Sequence, residues 1–299
     1  MSTGRLHWPA GSLASNGDAV SVSPEVAEWA YCGLRVQRLE PGGSRTLVTG
    51  ADEMAAVPLA GAMTIEVEGR RFDLRGRDSV FERVSDWAYL PIDAEVRLSS
   101  AERAEVALAS ARATRRFDPA HIRAESVPVE IRGAGQATRQ VTNFMAPETF
   151  DGADRLMCVE VLTPDGNWSS YPPHKHDDSP ECPANNEEIY YFRVGRTGRP
   201  GYSAEGFALH RLYTSDGAID ESVAVGDGDV FLIPRGYHGP CIAAPGYPLY
   251  YLNVLAGPNE RRTLAFCDDP THHWVRESWV GMPTDPRCPM TSADGVVIP

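Results

Sequence analysis

The chain has 299 residues, 42% hydrophobic and 9% aromatic, an ordinary balance for one large or two medium globular domains. A formal net charge of −13, with no Lys/Arg cluster longer than the pairs Arg70-Arg71, Arg115-Arg116 and Arg261-Arg262, would repel a phosphate backbone and argues against a nucleic-acid partner. No run approaches the ~20 apolar residues of a membrane helix, and the opening MSTGRLHWPAGSLASNG has no apolar core of signal-peptide length, so a cytoplasmic protein without membrane contact is expected.

Six cysteines (Cys32, Cys158, Cys182, Cys241, Cys267 and Cys288) are scattered without a CxxC, which suits reduced thiols better than a zinc knuckle or a redox dithiol. Residues 1–28 are small, polar and aperiodic and predict an irregular arm anchored by Trp8 and Trp29. From Leu34 the pattern becomes LRVQRL, SRTLVTG, AMTIEVEGRRFDLRG, DWAYLPIDAEVRLSS and EVALASARA: short apolar segments with Gly- or Pro-marked turns, as in a β-sandwich or barrel. Gly42-Gly43, Glu68-Gly69 and Arg75-Gly76 are expected hairpin turns. Only His7 and His121 precede residue 170, so this half should carry no metal ligands and serve packing and shape. The charged, Pro- and Gly-containing stretch 112–138 places a domain junction near residue 125. The expected fold class is therefore all-β, with two jelly-roll-like β-barrel domains, residues 1–125 and 126–299.

The chemistry is concentrated between Tyr171 and His238. In an extended strand, residues two apart share a face, so His174 and His176 can aim both imidazoles at one ion while Lys175 points away. A segment with Asp, Pro, Asn and Cys leads to Glu188, which opens the apolar run Ile189 to Val194. His238 follows a Pro-x-Gly turn at the end of a later strand. Three neutral imidazoles and a carboxylate suit a borderline divalent ion such as zinc, manganese, iron, nickel or copper, whereas a calcium site would be mostly oxygen. The bland alternative for an isolated HxH is a pair of surface histidines; Glu188 and His238 at these spacings weigh against it. Cys182 lies between the HxH pair and Glu188 and could approach the ion, or be a small buried hydrophobe.

These spacings, HxH, then Glu188 with six residues to Gly195, then Gly228 with five to Pro234, resemble the two signature motifs of the cupin superfamily. One departure is that only Tyr237 separates Gly236 from His238. The strings SSYPPHKHD, EEIYYFRV, DGDVFLIPRGYHGP and APGYPLYYLNVLAG resemble more narrowly the 5-deoxy-glucuronate isomerase family of myo-inositol catabolism, over roughly residues 130–280. That family is related to the 4-deoxy-threo-hexosulose-uronate ketol-isomerases of pectin breakdown. The resemblance implies a bicupin whose first half is metal-free, with one divalent ion per chain, zinc or manganese ahead of the others. It implies a small anionic sugar substrate, and an aldose-to-ketose conversion of 5-deoxy-glucuronate to 5-dehydro-2-deoxy-D-gluconate. A bicupin dioxygenase and a non-enzymatic sugar-binding cupin use the same donors and stand as alternatives. Self-association into a homo-oligomer is left open.

Substrate contacts are read more loosely. Arg139 could hold the sugar carboxylate in a bidentate fork or be a surface arginine. Tyr190 and Phe192 share the face of Glu188, so Tyr190 could reach a sugar hydroxyl. Tyr251 and Asn253 share one parity and Tyr250 has the other; Tyr251 is favoured by the resemblance. In FALHRLYT either Arg211 or His210 faces the interior, and Lys175 is a second-rank contact. The general base has no single candidate: Tyr190, Tyr251 and a metal-bound water all qualify. His272 and His273 lack partners for a second ion, and Trp274 and Trp279 should close a barrel end or a subunit contact.

Overall fold

The computed structural model describes residues 5–177 and 179–297. The alternating apolar segments become strands, and every pairing among the described residues is antiparallel. The longest, Asp52–Val67, pairs first with Ala104–Arg112 and Trp87–Leu90 and then, farther along, with Arg70–Arg77 and Glu95–Ser99. Register shifts between Pro58 and Ala60 and between Gly61 and Met63 bend it, which lets one strand serve two curled sheets. Gly61 is required at that bend: its φ is 78°, and an added Cβ would lie 2.4 Å from the Arg103 carbonyl oxygen. Cys32–Leu39 and Val20–Val22 extend this half.

The second half has two facing sheets. One has seven strands in the order His7–Trp8, Val230–Ile233, Glu187–Val194, Leu249–Ala256, Met157–Thr163, Arg139–Met145 and Val129–Arg132. The other runs Asp220–Gly226, Phe207–Tyr213, Tyr237–Ala243, His174–Lys175 and Cys267–Asp268, with Trp168–Ser169 also on Tyr237–Ala243. Strand pairing passes from the first set of sheets to the second between Ile122 and Val129. A continuous apolar core joins the halves, with Leu34, Val57 and Ala107 from one meeting Ile189, Tyr191 and Leu252 from the other. Each fully buried Val, Leu or Ile side chain among them contributes about 1.5–3 kcal/mol of transfer free energy.

Buried and half-buried carboxylates reinforce that junction. Glu53 accepts the backbone N–H groups of Asp154, Arg155 and Leu156 and the Tyr89 hydroxyl. Glu187 accepts those of Ala30, Tyr31 and Cys32 at 2.7–2.9 Å. Arg77 forms a buried ion pair with Glu160, which also accepts the Tyr250 hydroxyl at 2.7 Å.

Two expectations need correction. The N-terminal arm is not merely irregular: His7 and Trp8 pair with Phe231 and Val230 in the second half's sheet, and His7 Nε2 lies 2.8 Å from Asp229. Edge pairing supplied by distant sequence leaves no local period to read. Arg75-Gly76 is also not a turn but lies inside Arg70–Arg77, where Gly76 (φ 64°) accommodates the bulge opposite Gly61. Among the described residues no helix is long and apolar enough to cross a membrane.

The Arg77 pair generates a stability prediction. Arg77→Ala leaves Glu160 charged, buried and unpaired, and should lower the unfolding free energy by about 3–5 kcal/mol. Replacing Arg77 and Glu160 together by methionine should cost much less. Urea titration of the three proteins checks both.

Candidate metal centre

Glu188 to Val194 alternates between two buried faces, which is why its sequence is an almost unbroken apolar run. Glu187 and Arg193 face the first half, Arg193 pairing with Glu105 and Asp227. Glu188, Tyr190 and Phe192 face the interior of the second barrel. From the opposite sheet, His174 and His238 are direct partners across the antiparallel ladder, and His176 follows at the strand end. The four candidate ligands therefore come from both walls of one barrel.

Three of them converge. His176 Nε2 lies 2.9 Å and His238 Nε2 3.1 Å from Glu188 Oε2, and the ligand atoms of these three residues all lie within 4.8 Å of one another. His174 stands beside the group, outside that limit, with its ring centroid 4.5 Å from that of His238 and 6.5 Å from that of His176. All three imidazoles turn Nδ1 toward a backbone carbonyl: His174 to Pro172 at 3.1 Å, His176 to Asn186 at 3.3 Å and His238 to Gly236 at 3.4 Å. In that orientation each Nδ1–H donates to a backbone carbonyl oxygen, and Nε2 is left as the ligating atom. Asn253 donates to Glu188 Oε1 from the adjacent strand.

The electrostatics follow from burial and crowding. Burial alone would raise the Glu188 pKa, but His238 and His176 outweigh it and hold the carboxyl well below the usual range. Burial likewise opposes charge on His176, and the Glu188 carboxylate reverses this, raising its pKa. His174 is pushed well below the ordinary imidazole value by burial and then by the two neighbouring rings. His238 Nε2 is buried and makes no hydrogen bond among the described residues, although Glu188 is close; its direction is wrong. An unpartnered imidazole nitrogen beside a carboxylate and a second imidazole is what a divalent ion would satisfy, so the donor set fits a metal.

The group opens onto a cavity of about 930 Å³ whose wall includes Arg139, Ser170, Tyr190, Tyr251 and Phe266. Arg139 is buried, donates from Nη1 to the Ala137 carbonyl at 3.0 Å, and has no carboxylate partner among the described residues. Burial lowers its pKa to about 10, so it remains cationic at neutral pH. Tyr190 and Tyr251 stack with centroids 4.8 Å apart, and each hydroxyl lies 2.9 Å from Ser170 Oγ. Burial holds both phenols protonated, raising each pKa.

Two expected substrate contacts lie elsewhere. Lys175 points to the far side of its strand, with Nζ 2.7 Å from Glu181 and 3.5 Å from Asp177, over the Tyr237 ring. Strict alternation beside two inward histidines forces that direction. Arg211 pairs with Asp220 at the surface and covers Tyr213. The other phase of its strand is inside, because Ala208, His210 and Leu212 are buried while Phe207 and Leu209 are each 46% exposed. His210 is thus the inward residue, its pKa lowered to about 3 chiefly by burial, with Nδ1 3.1 Å from Cys241 Sγ. Cys182 donates to the Lys175 carbonyl at 3.1 Å, and exposed His273 pairs with Asp268. Trp274 is exposed, while Trp279 lies near the Arg139 guanidinium. Sequence reasoning missed Ser170, which carries no local signal, and the role of Asn253, which the parity shared with Tyr251 had indicated.

His176→Ala should abolish tight binding of one Mn²⁺ or Zn²⁺ per chain, read by elemental analysis after desalting. Asn253→Ala, which removes only the support of Glu188, should weaken affinity about 10–100-fold in a calorimetric titration.

The pattern of the KduI/IolB family matches residues 7–275. The chain is 42% identical to a 5-deoxy-glucuronate isomerase of Geobacillus kaustophilus, over 92% of this chain and 96% of that one. It is 36% identical to the 5-deoxy-glucuronate isomerase of Bacillus subtilis strain 168, over 91% and 98%. Among solved structures, an IolB-like protein from Salmonella typhimurium LT2 superposes with a TM-score of 0.82 at 34% identity, covering 91% of this chain and 99% of that one. Oxalate decarboxylase of Bacillus subtilis, at 13% identity and a TM-score of 0.61 over 87% and 79%, shares the fold alone, an all-β bicupin. The two facing sheets, the family pattern and relatives matched over nearly their whole length agree: this chain belongs to the KduI/IolB family.

Proposed function

We propose that the chain is a 5-deoxy-glucuronate isomerase, converting the aldose to the corresponding 2-ketose, 5-dehydro-2-deoxy-D-gluconate, in myo-inositol catabolism. The observation that carries the reading is the pairing in one cavity of a buried His–Glu–His donor set with Arg139, a buried cation that lacks an anionic partner among the described residues. A uronate offers both halves of the complement: an aldehyde with a neighbouring hydroxyl at one end and a carboxylate at the other. Relatives named for this reaction, matched over 92% and 91% of the chain, support it.

His176, Glu188 and His238, joined by His174, would hold one divalent ion, with manganese and zinc both suited to the donors. Such an ion supplies Lewis acidity, which lowers the cost of removing the proton between carbonyl and hydroxyl. The protein's own groups do the rest. Arg139 presents a planar guanidinium that matches a carboxylate bidentately and fixes the sugar's far end. Neutral Tyr190 and Tyr251 offer hydroxyls to the sugar oxygens, and Phe266 packs against the His174 ring at 4.9 Å. Against a net charge of −13, this local positive charge is what draws an anionic substrate inward. Six unpaired cysteines fit a reducing, cytoplasmic setting.

Turnover of 5-deoxy-glucuronate, followed by NMR under strictly anaerobic conditions, should proceed at the aerobic rate; dependence on oxygen would favour dioxygenase chemistry. Arg139→Met should raise KM for the sugar acid about 10–100-fold, the equivalent of about 1.5–3 kcal/mol for a hydrogen-bonded charge, with a smaller change in kcat. An unchanged KM would remove the carboxylate clamp from the mechanism.

A further inference from the structure

The cavity wall beside the donor group, where the Tyr190 ring lies 5.9 Å from that of His238, carries a feature that substrate binding alone does not require. Ser170 Oγ is the shared 2.9 Å partner of the Tyr190 and Tyr251 hydroxyls, and all three residues are buried on the lining of the same cavity. Ser170 reaches that point with φ at 46°, in the left-handed region where glycine is at ease and serine is not. Its backbone is clamped there by Gly239, where an added Cβ would meet the Ser170 carbonyl oxygen at 1.8 Å. A serine at a glycine-favouring position, bridging two phenols, indicates that the hydroxyl is the reason for the residue.

Three hydroxyls carry three hydrogens, and two of these are used within the triad. When Ser170 donates to one phenol it accepts from the other, so one phenol has its hydrogen free to give outward and the other has a lone pair free to receive. Reversing the three O–H directions exchanges the two ends. Both phenol oxygens are tied to one serine oxygen, so they lie within twice 2.9 Å of each other, a span suited to neighbouring oxygens of one sugar.

We propose that Tyr190, Ser170 and Tyr251 form a neutral hydroxyl relay that moves a hydrogen between the two oxygens exchanged in the isomerisation, a role that rests on the isomerase reading above. The hydrogen on the hydroxyl-bearing carbon leaves to a separate base, and its electron pair becomes the carbon–carbon double bond. The carbonyl π pair moves onto the aldehyde oxygen, which takes a hydrogen from the first phenol. In the same step the neighbouring oxygen gives its hydrogen to the second phenol and keeps the negative charge, and its electrons then form the new carbonyl as the carbon–carbon π pair takes the proton back at the former aldehyde carbon. Within the triad each hydroxyl passes one hydrogen along, so no member ionises and no hydrogen is gained or lost. The triad ends in its reversed orientation and resets by rotation of three hydroxyls. The phenols are the catalytic residues; Ser170 is the positioning residue that couples them.

The test uses the Mn²⁺-loaded protein and 5-deoxy-glucuronate. Ser170→Gly removes the hydroxyl while relieving the backbone, so its Tm should match or exceed that of the parent. Its kcat should fall about 100-fold, at the low end of what positioned proton transfer contributes, with KM changed less than about threefold. In H₂O/D₂O mixtures the parent's kcat should fall along a curve, reporting several hydrogens in flight, and that of Ser170→Gly along a straight line. Tyr251→Phe, which breaks the other link, should give the same straight line. A Ser170→Gly protein that keeps kcat, or that loses KM alone, would overturn the relay, as would a parent without curvature. A parent inactive on the sugar would overturn the isomerase reading and the relay with it, and is recognised before any variant is made.

Discussion

A carboxylate enclosed among imidazoles at the centre of a barrel is the constraint around which this molecule is arranged. Glu188 is 2% exposed, and charge at such a site is tolerable only where partners compensate for lost hydration. His176 from just past a strand end, and His238 and Asn253 from two other strands, provide them, and each is itself held, the two histidines by backbone carbonyls and Asn253 by its place beside Glu188. The barrel wall must therefore keep its register to within one residue. A slip would turn Glu188 outward and bring Glu187 or Ile189 into its place.

That register is protected by the other half of the chain. Glu187, one residue away, is anchored to three consecutive N–H groups of Ala30, Tyr31 and Cys32, and Arg193 at the far end of the strand is anchored by Glu105. The strand that delivers Glu188 to the cavity is thus pinned on its reverse face by the half without an assembled donor set among the described residues. Packing and chemistry are divided between the two faces of one strand, and this gives the first half a mechanical part in the site.

Imidazoles, a carboxylate, a guanidinium without a carboxylate partner among the described residues, and neutral hydroxyls share the lining of one cavity. Each group is kept in the state its task needs by burial: Arg139 loses some of its basicity but stays charged, and the two phenols are driven to stay neutral. An anionic sugar with adjacent carbonyl and hydroxyl groups matches that set of functions.

Strand alternation was legible wherever a segment was long and regular, because side chains two apart must share a face. His174 with His176, Glu188 with Tyr190, and Lys175 turned away could all be read on that rule alone. It failed at Phe207–Tyr213, where both phases mix apolar and polar residues, and only packing decided that His210 is inside and Arg211 out. It was silent on Ser170, whose position depends on a left-handed backbone wedged against Gly239, and on His7–Trp8, whose partners lie more than 220 residues away. The sequence by itself determined the all-β class, the donor types and the face each regular strand would offer, since these follow from local period and side-chain chemistry. The tertiary structure decided which three donors meet within 4.8 Å, that Arg139 has no carboxylate to pair with among the described residues, and that two phenols share one serine, because those distances depend on how two sheets close over one another.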